Sequence, residues 1–110
     1  MKGLIIKSPW IEKILAGEKV WEIRGSNTKI RGTIALIKSG SGMIYGTVVL
    51  IKSFQVTDEA YNQGGKHHCI PGNYENRYKK RYVWELSSPQ LYDKPIPFKH
   101  PQGAVIWVNL

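Results

Sequence analysis

Lys19, Glu22 and Arg24 crowd the stretch "GEKVWEIRG", residues 17–25. A guanidinium can grip a phosphate or a base edge through parallel N–H bonds, and a neighbouring carboxylate can fix the direction of that fork. A lysine in such company is pulled two ways. The arginine pushes its pKa down, toward the neutral amine that serves as base or nucleophile, while the glutamate pushes it up. The same residues could instead be an ion pair that closes a surface, worth about 0–1 kcal/mol if exposed. Spacing alone leaves both readings open.

Other chemistry-bearing residues flank this stretch. "KSPW" sets Lys7, Ser8 and Trp10 at the start of an expected helix. Its amides form an anion site, and Trp10 is either a stacking platform or a core residue. "KHHC" brings His67, His68 and Cys69 together, with His100 far along the chain. Adjacent residues of an extended chain point to opposite sides, and zinc pairs are usually separated by two to four residues, so neither a metal nor any other cofactor is expected. His67 reads as an ordinary loop residue and Cys69 as a small, half-buried one. His68, before "IP", is expected at the mouth of a cleft, where an imidazole can contact phosphate or move a proton. In "YENRYKKRYVW", Arg77, Lys79, Lys80 and Arg81 alternate with Tyr74, Tyr78, Tyr82 and Trp84. Cations track phosphates and aromatic faces stack bases, a mixture that suits single-stranded nucleic acid. The competing reading is that Tyr82 and Trp84 form the buried face of a strand.

The charge balance agrees with an anionic partner. Sixteen Lys and Arg oppose eight Asp and Glu, for a net charge of +8 and a pI near 9.7. With 110 residues the chain is expected to be a single domain, residues 1–110, acting as a monomer. No apolar run approaches the ~20 residues of a membrane span, so no membrane partner is expected. One cysteine cannot make an internal disulfide, and a cytoplasmic setting is expected.

The elements that must position these residues are mostly strands. "GLIIK" reads as a strand. "SPWIEKILAG" reads as a helix from Ser8 to Ala16, with Ser8 as N-cap, Pro9 in the first turn, and Gly17 supplying the left-handed exit. Trp10, Ile11, Ile14 and Leu15 form its apolar stripe. "VWEIR" alternates, turning Trp21 and Ile23 one way and Glu22 and Arg24 the other. "GTIALIKS" and "MIYGTVVLIKSFQV" read as a hairpin joined by "GSG", in which Gly46 marks a bulge or a close backbone approach. A short helical turn is expected at 57–62 and a polar loop from Gly64 to Asn76. "RYVWELS" reads as a strand, "SPQLYDKPIPFKHPQG" as a connection, and "AVIWVNL" as a buried final strand. The fold class is α+β, mainly β, a small barrel with one or two short helices.

With these residues in order, the chain resembles the ASCH domain family. That family has a PUA-like β-barrel and a Gly-x-Lys-x-x-Glu-x-Arg motif after the first helix, matched by Gly17, Lys19, Glu22 and Arg24. The flanking "IIKSPWIEKILAG", the hairpin, "YKKRYVWEL" and "PIPFKHPQGAVIWVNL" are similar to bacterial members as well. The resemblance implies a basic cleft between helix and barrel mouth that binds RNA or nucleotides. It also implies an alternative: a small hydrolase using that cleft, either a ribonuclease or an amidohydrolase of N4-acylated cytidine nucleosides. In that case Lys19 and Glu22 are the catalytic candidates. Amidohydrolase members share the lysine but carry threonine where this chain has Glu22. They also use a later glutamate, for which Glu75 and Glu85 are the candidates here.

Overall fold

The computed structural model describes residues 1–74 and 78–110. Glu75 and Arg77, both singled out above, lie outside the described residues. Six strands follow one another as β1 (Lys2–Ile6), β2 (Trp21–Arg24), β3 (Gly32–Lys38), β4 (Met43–Val56), β5 (Arg81–Pro97) and β6 (Trp107–Asn109). Three short helices are interspersed: α1 (Trp10–Leu15), α2 (Asp58–Gln63) and α3 (Gly65–His68). The sheet order is β2-β5-β4-β3-β1-β6, antiparallel throughout except for the parallel β1–β3 pair.

The sheet curls until its ends meet through side chains. Arg24, on β2 at one edge, donates to the carbonyl of Ile5 on β1. Trp84 of β5 stacks on Trp107 of β6 with ring centroids 5.6 Å apart. The result is the expected PUA-like barrel. Its interior holds Leu4, Ile6, Ile34, Leu36, Val48, Leu50 and Leu86, closed at one end by Ile11, Ile14 and Leu15 of α1. A smaller apolar cluster lies on the other face of β2, where Ile23, Val83 and Tyr61 pack with Trp21 and Phe54 beneath α2. The two faces of β2 therefore have separate jobs. Trp21 and Ile23 hold the strand down, and Glu22 and Arg24 face the barrel mouth.

Several boundaries differ from expectation. The first helix begins at Trp10, with Pro9 in the cap position and no side-chain cap bond. The Ser8 hydroxyl donates instead to the Glu12 carboxylate at 2.8 Å, so Ser8 is not the N-cap. The supposed connection after "RYVWELS" is the second half of β5, which runs on to Pro97. Prolines are tolerated there because β2 covers β5 only from Tyr82 to Glu85, leaving one edge of its later residues unpaired. The last strand is shorter than expected, since β6 pairs only with Lys2 to Leu4 and leaves Val105 and Ile106 exposed. The Gly64–Asn76 segment includes the single-turn helix α3, which follows α2 directly. Thr57 caps α2, its hydroxyl accepting from the Ala60 N–H at 3.1 Å.

Gly46 is both a bulge and a close approach. The β3–β4 register shifts beside it, and a Cβ at this position would lie 2.2 Å from the Gln90 carbonyl oxygen on β5. Backbone cannot yield as a flexible side chain can, so Gly46→Ala is expected to destabilise the fold by about 3 kcal/mol. Gly65→Ala meets no atom within 4 Å and is expected to be nearly neutral. Chemical denaturation of the two variants checks this.

Candidate functional site

The chain leaves α1 through Gly17, whose φ of +83° is the expected left-handed exit. The amides of Glu18 and Lys19 both bond to the Lys13 carbonyl, folding the chain under the helix end, and the Val20 amide bonds to His67 of α3. This path drives the Lys19 side chain inward until only 1% of the residue is exposed. Its ammonium donates to the His68 carbonyl at 2.6 Å, lies 3.7 Å from Glu22 Oε1, and sits 5.3 Å from the centroid of the Trp10 ring. Burial lowers the Lys19 pKa from the ordinary lysine range, Glu22 opposes that shift, and Arg24 adds to it.

Glu22 is buried as well. Its Oε2 accepts from Arg24 Nε at 2.9 Å and pairs with Nη2 at 2.7 Å. Arg24 Nη2 also reaches the Ile5 carbonyl at 3.2 Å, and the guanidinium stands 5.5 Å from the Trp84 ring centroid. Two cations thus share one carboxylate, and the cluster keeps a net positive charge. It floors a cleft of about 570 Å³ between α1 and the barrel mouth. Trp10, Tyr74 and Tyr78 form its aromatic walls, with Lys7 at the rim. Trp10 and Tyr74 meet edge to face, centroids 5.5 Å apart. Tyr78 is seated on Gly25, where a Cβ would come within 2.7 Å of its ring. Lys7 is exposed, and its ammonium has no partner among the described residues.

The structure thus gathers Lys7, Trp10, Lys19, Glu22, Arg24 and Tyr78 around one cleft. It does not bring Ser8 there, because the hydroxyl turns to Glu12 on the exposed side of α1. Lys79 and Lys80 are exposed in the segment between Tyr78 and β5. Arg81 faces away: it pairs with Asp58 of α2 at 2.6 Å and lies over the Tyr61 ring. Trp84 is core, and Tyr82 packs against the core, so neither is a stacking platform. Glu85 stands opposite Trp21 in the β2–β5 register, on the sheet face away from Glu22.

His68 is placed differently from expectation. It is buried and stacked on Tyr61 at 4.3 Å. Its Nδ1 accepts from the Ile70 amide at 2.9 Å, so Nε2 carries the proton and donates to the Tyr61 carbonyl at 2.8 Å. With both nitrogens engaged, the ring is a structural joint between α2 and α3 and does not line the cleft. Only its carbonyl serves the site, through Lys19. The His67 ring rests on Trp21 at 4.8 Å, and Cys69 Sγ points to the Glu18 carbonyl at 3.4 Å. Among the described residues no group of His, Cys, Asp and Glu converges to hold a metal ion.

Sequence reasoning missed the parts of the cleft contributed by backbone and by distant apolar residues. Ile5, whose carbonyl orients Arg24, belongs to these, as do Ile70 and Val105. Tyr74 carried a signal in its aromatic-basic surroundings, and Gly25 carried one in its missing side chain.

The profile described as the ASCH domain matches residues 4–96. The chain belongs to the ASCH domain family. This ASCH domain shares its fold with the crystal structure of ASCH from Zymomonas mobilis, at 16% identity and a TM-score of 0.77 over 99% of this chain and 86% of that one. Two single-substitution variants of the Zymomonas mobilis protein match it at the same 16% identity, with TM-scores of 0.77 and 0.72. These alignments also cover 99% of this chain, and 88% and 87% of theirs. No curated protein matches the chain. Among the described residues no helix of this ASCH domain is long and apolar enough to cross a membrane.

Burial of His68 predicts an acid-sensitive fold. Desolvation holds its pKa below the ordinary 6.5, against the Tyr61 bond that raises it, with Lys19 adding to the lowering. The unfolded chain therefore binds a proton that the folded chain refuses, so stability is full above about pH 6.5 and declines as pH falls below it. Melting temperature is expected to drop between about pH 7.5 and pH 5.5. His68→Gln, which keeps the donor to Tyr61 but cannot titrate, is expected to flatten that interval.

Proposed function

We propose that this ASCH domain binds single-stranded RNA or a nucleotide in the cleft between α1 and the barrel mouth. The observation that carries the reading is a net-cationic floor of Lys19, Glu22 and Arg24 beneath three aromatic rings, with the unpartnered Lys7 ammonium at its rim. Aromatic faces stack unpaired bases, which a duplex hides. Arg24 is held in a fixed orientation by Glu22 and the Ile5 carbonyl, so it meets a phosphate or base edge without first losing side-chain freedom. Lys79 and Lys80 follow Tyr78 directly and extend the positive rim.

Phosphate contacts release counterions, so affinity for a fluorescent single-stranded RNA is expected to fall steeply as salt rises. Lys7→Ala is expected to weaken binding and to reduce the slope of log affinity against log salt by about 0.7, one phosphate contact. Replacing both Lys79 and Lys80 with alanine is expected to weaken all sequences alike. Affinity indifferent to salt and to these changes would show that the basic face is incidental.

A second reading uses the same cleft for hydrolysis, and the burial of Lys19 favours it. Desolvation enlarges the fraction of neutral amine, and Glu22 Oε1 lies 3.7 Å away as a proton acceptor. In the amidohydrolase form of this reading, Glu22 takes the place of the threonine as base rather than as nucleophile. Acetate released from N4-acetylcytidine, or cleaved RNA, that disappears with Lys19→Met would establish turnover. Methionine keeps the apolar stem, and Arg24 still pairs with Glu22.

A further inference from the structure

A second cleft of about 490 Å³ opens beside the first and shares Ile5, Lys7, Ser39 and Val105 with it. Each volume falls within the roughly 300–1,000 Å³ of small-molecule sites. The second cleft lies between the β3–β4 turn and the segment that leads into β6. Val105 and Ala104 give it apolar surface, and His100 gives it a flat ring. That ring is fixed in place, His100 Nε2 lying 2.8 Å from the Ala104 carbonyl oxygen. The turn on its other side is bare. Gly40 and Gly42 have φ of +79° and +67°, and a Cβ at either would meet nothing within 4 Å. Lys38 adds positive field, although Glu12 holds its ammonium at 3.4 Å.

Lys7 stands where the two clefts meet, and its ammonium is unpartnered among the described residues. A mononucleotide in the first cleft would leave the second empty. A phosphodiester on Lys7 instead has a nucleoside on each side, one for each cleft. We propose that the binding unit is a dinucleotide step of single-stranded RNA, with its linking phosphate on Lys7 and its two nucleosides in the adjoining clefts. This inference rests on the RNA-binding reading above and fixes the minimum length of the ligand.

Charge and length are separable in the test. Uridine 5′-monophosphate carries about two negative charges at neutral pH. UpU carries a single phosphodiester charge, so tighter binding of UpU cannot come from added charge. Equilibrium titration by calorimetry is expected to give UpU an affinity about tenfold or more above that of uridine 5′-monophosphate, equivalent to about 1.4 kcal/mol. A third nucleotide is expected to add little, and the adenosine series is expected to follow the same order. Ala104→Glu places a carboxylate in the second cleft only, and His100→Glu does so from an exposed position that does not endanger folding. Each is expected to bring the ratio of the two affinities close to one. Equal affinities in the unaltered protein would overturn the inference and leave the first cleft standing as a mononucleotide site. A UpU advantage untouched by both variants would overturn it as well. No binding of mononucleotide, UpU or longer RNA at low salt would remove the RNA-binding reading itself, and this inference with it.

Discussion

A lysine withdrawn from water must find every partner inside the protein, and Lys19 draws its partners from three directions. The His68 carbonyl comes from α3, the Glu22 carboxylate from β2 and the Trp10 ring from α1. Each of these elements is short, and Lys19 adds a tie to the apolar packing that seats α1 and β2. Loss of Lys19 would leave Glu22 paired with Arg24 but would take from the His68 carbonyl its buried donor. Lys19 therefore ties α1, α3 and β2 together in the act of flooring the cleft. The contrast drawn from sequence, ligand site or structural ion pair, is too sharp, because the contacts that tie these elements together also shape the floor of the cleft.

The ratio of charges in this cluster matters as much as its burial. One carboxylate cannot neutralise two cations, so the cleft keeps a positive floor after every internal bond is made. Arg24 extends the arrangement to β1 through the Ile5 carbonyl, so the site also joins the edge of the sheet to its far side. Low-dielectric walls strengthen such a field relative to water. The charge of +8 spread over the whole chain supplies attraction at longer range.

Much of this was legible in local sequence. The alternation of "VWEIR" correctly separated the anchoring face from the cleft face, and Gly17 and Gly46 announced the helix exit and the bulge. Illegible features were those decided by the path of the backbone in space. Nothing near His68 reveals that the Tyr61 carbonyl and the Ile70 amide will occupy its ring. Ser8 has the chemistry of a cap but meets Glu12 first. The prolines of β5 suggested a loop, and only the shortness of β2 explains why they are allowed in a strand. Ile5, Ile70 and Val105 also line the cleft, and their apolar side chains carry no chemical signature of their own.

The placement of β1 has a consequence for how the molecule is made. Gly3 pairs with Ala35 on one side and with Val108 on the other. Contacts of such sequence separation form late, since the chain between them must first lose its freedom. During synthesis β1 can dock on β3 once β3 has emerged, yet its other edge stays open until β6 follows. An open strand edge is a template for pairing with other chains. The nascent protein carries that hazard from the emergence of β3 until that of β6, the strand that removes it.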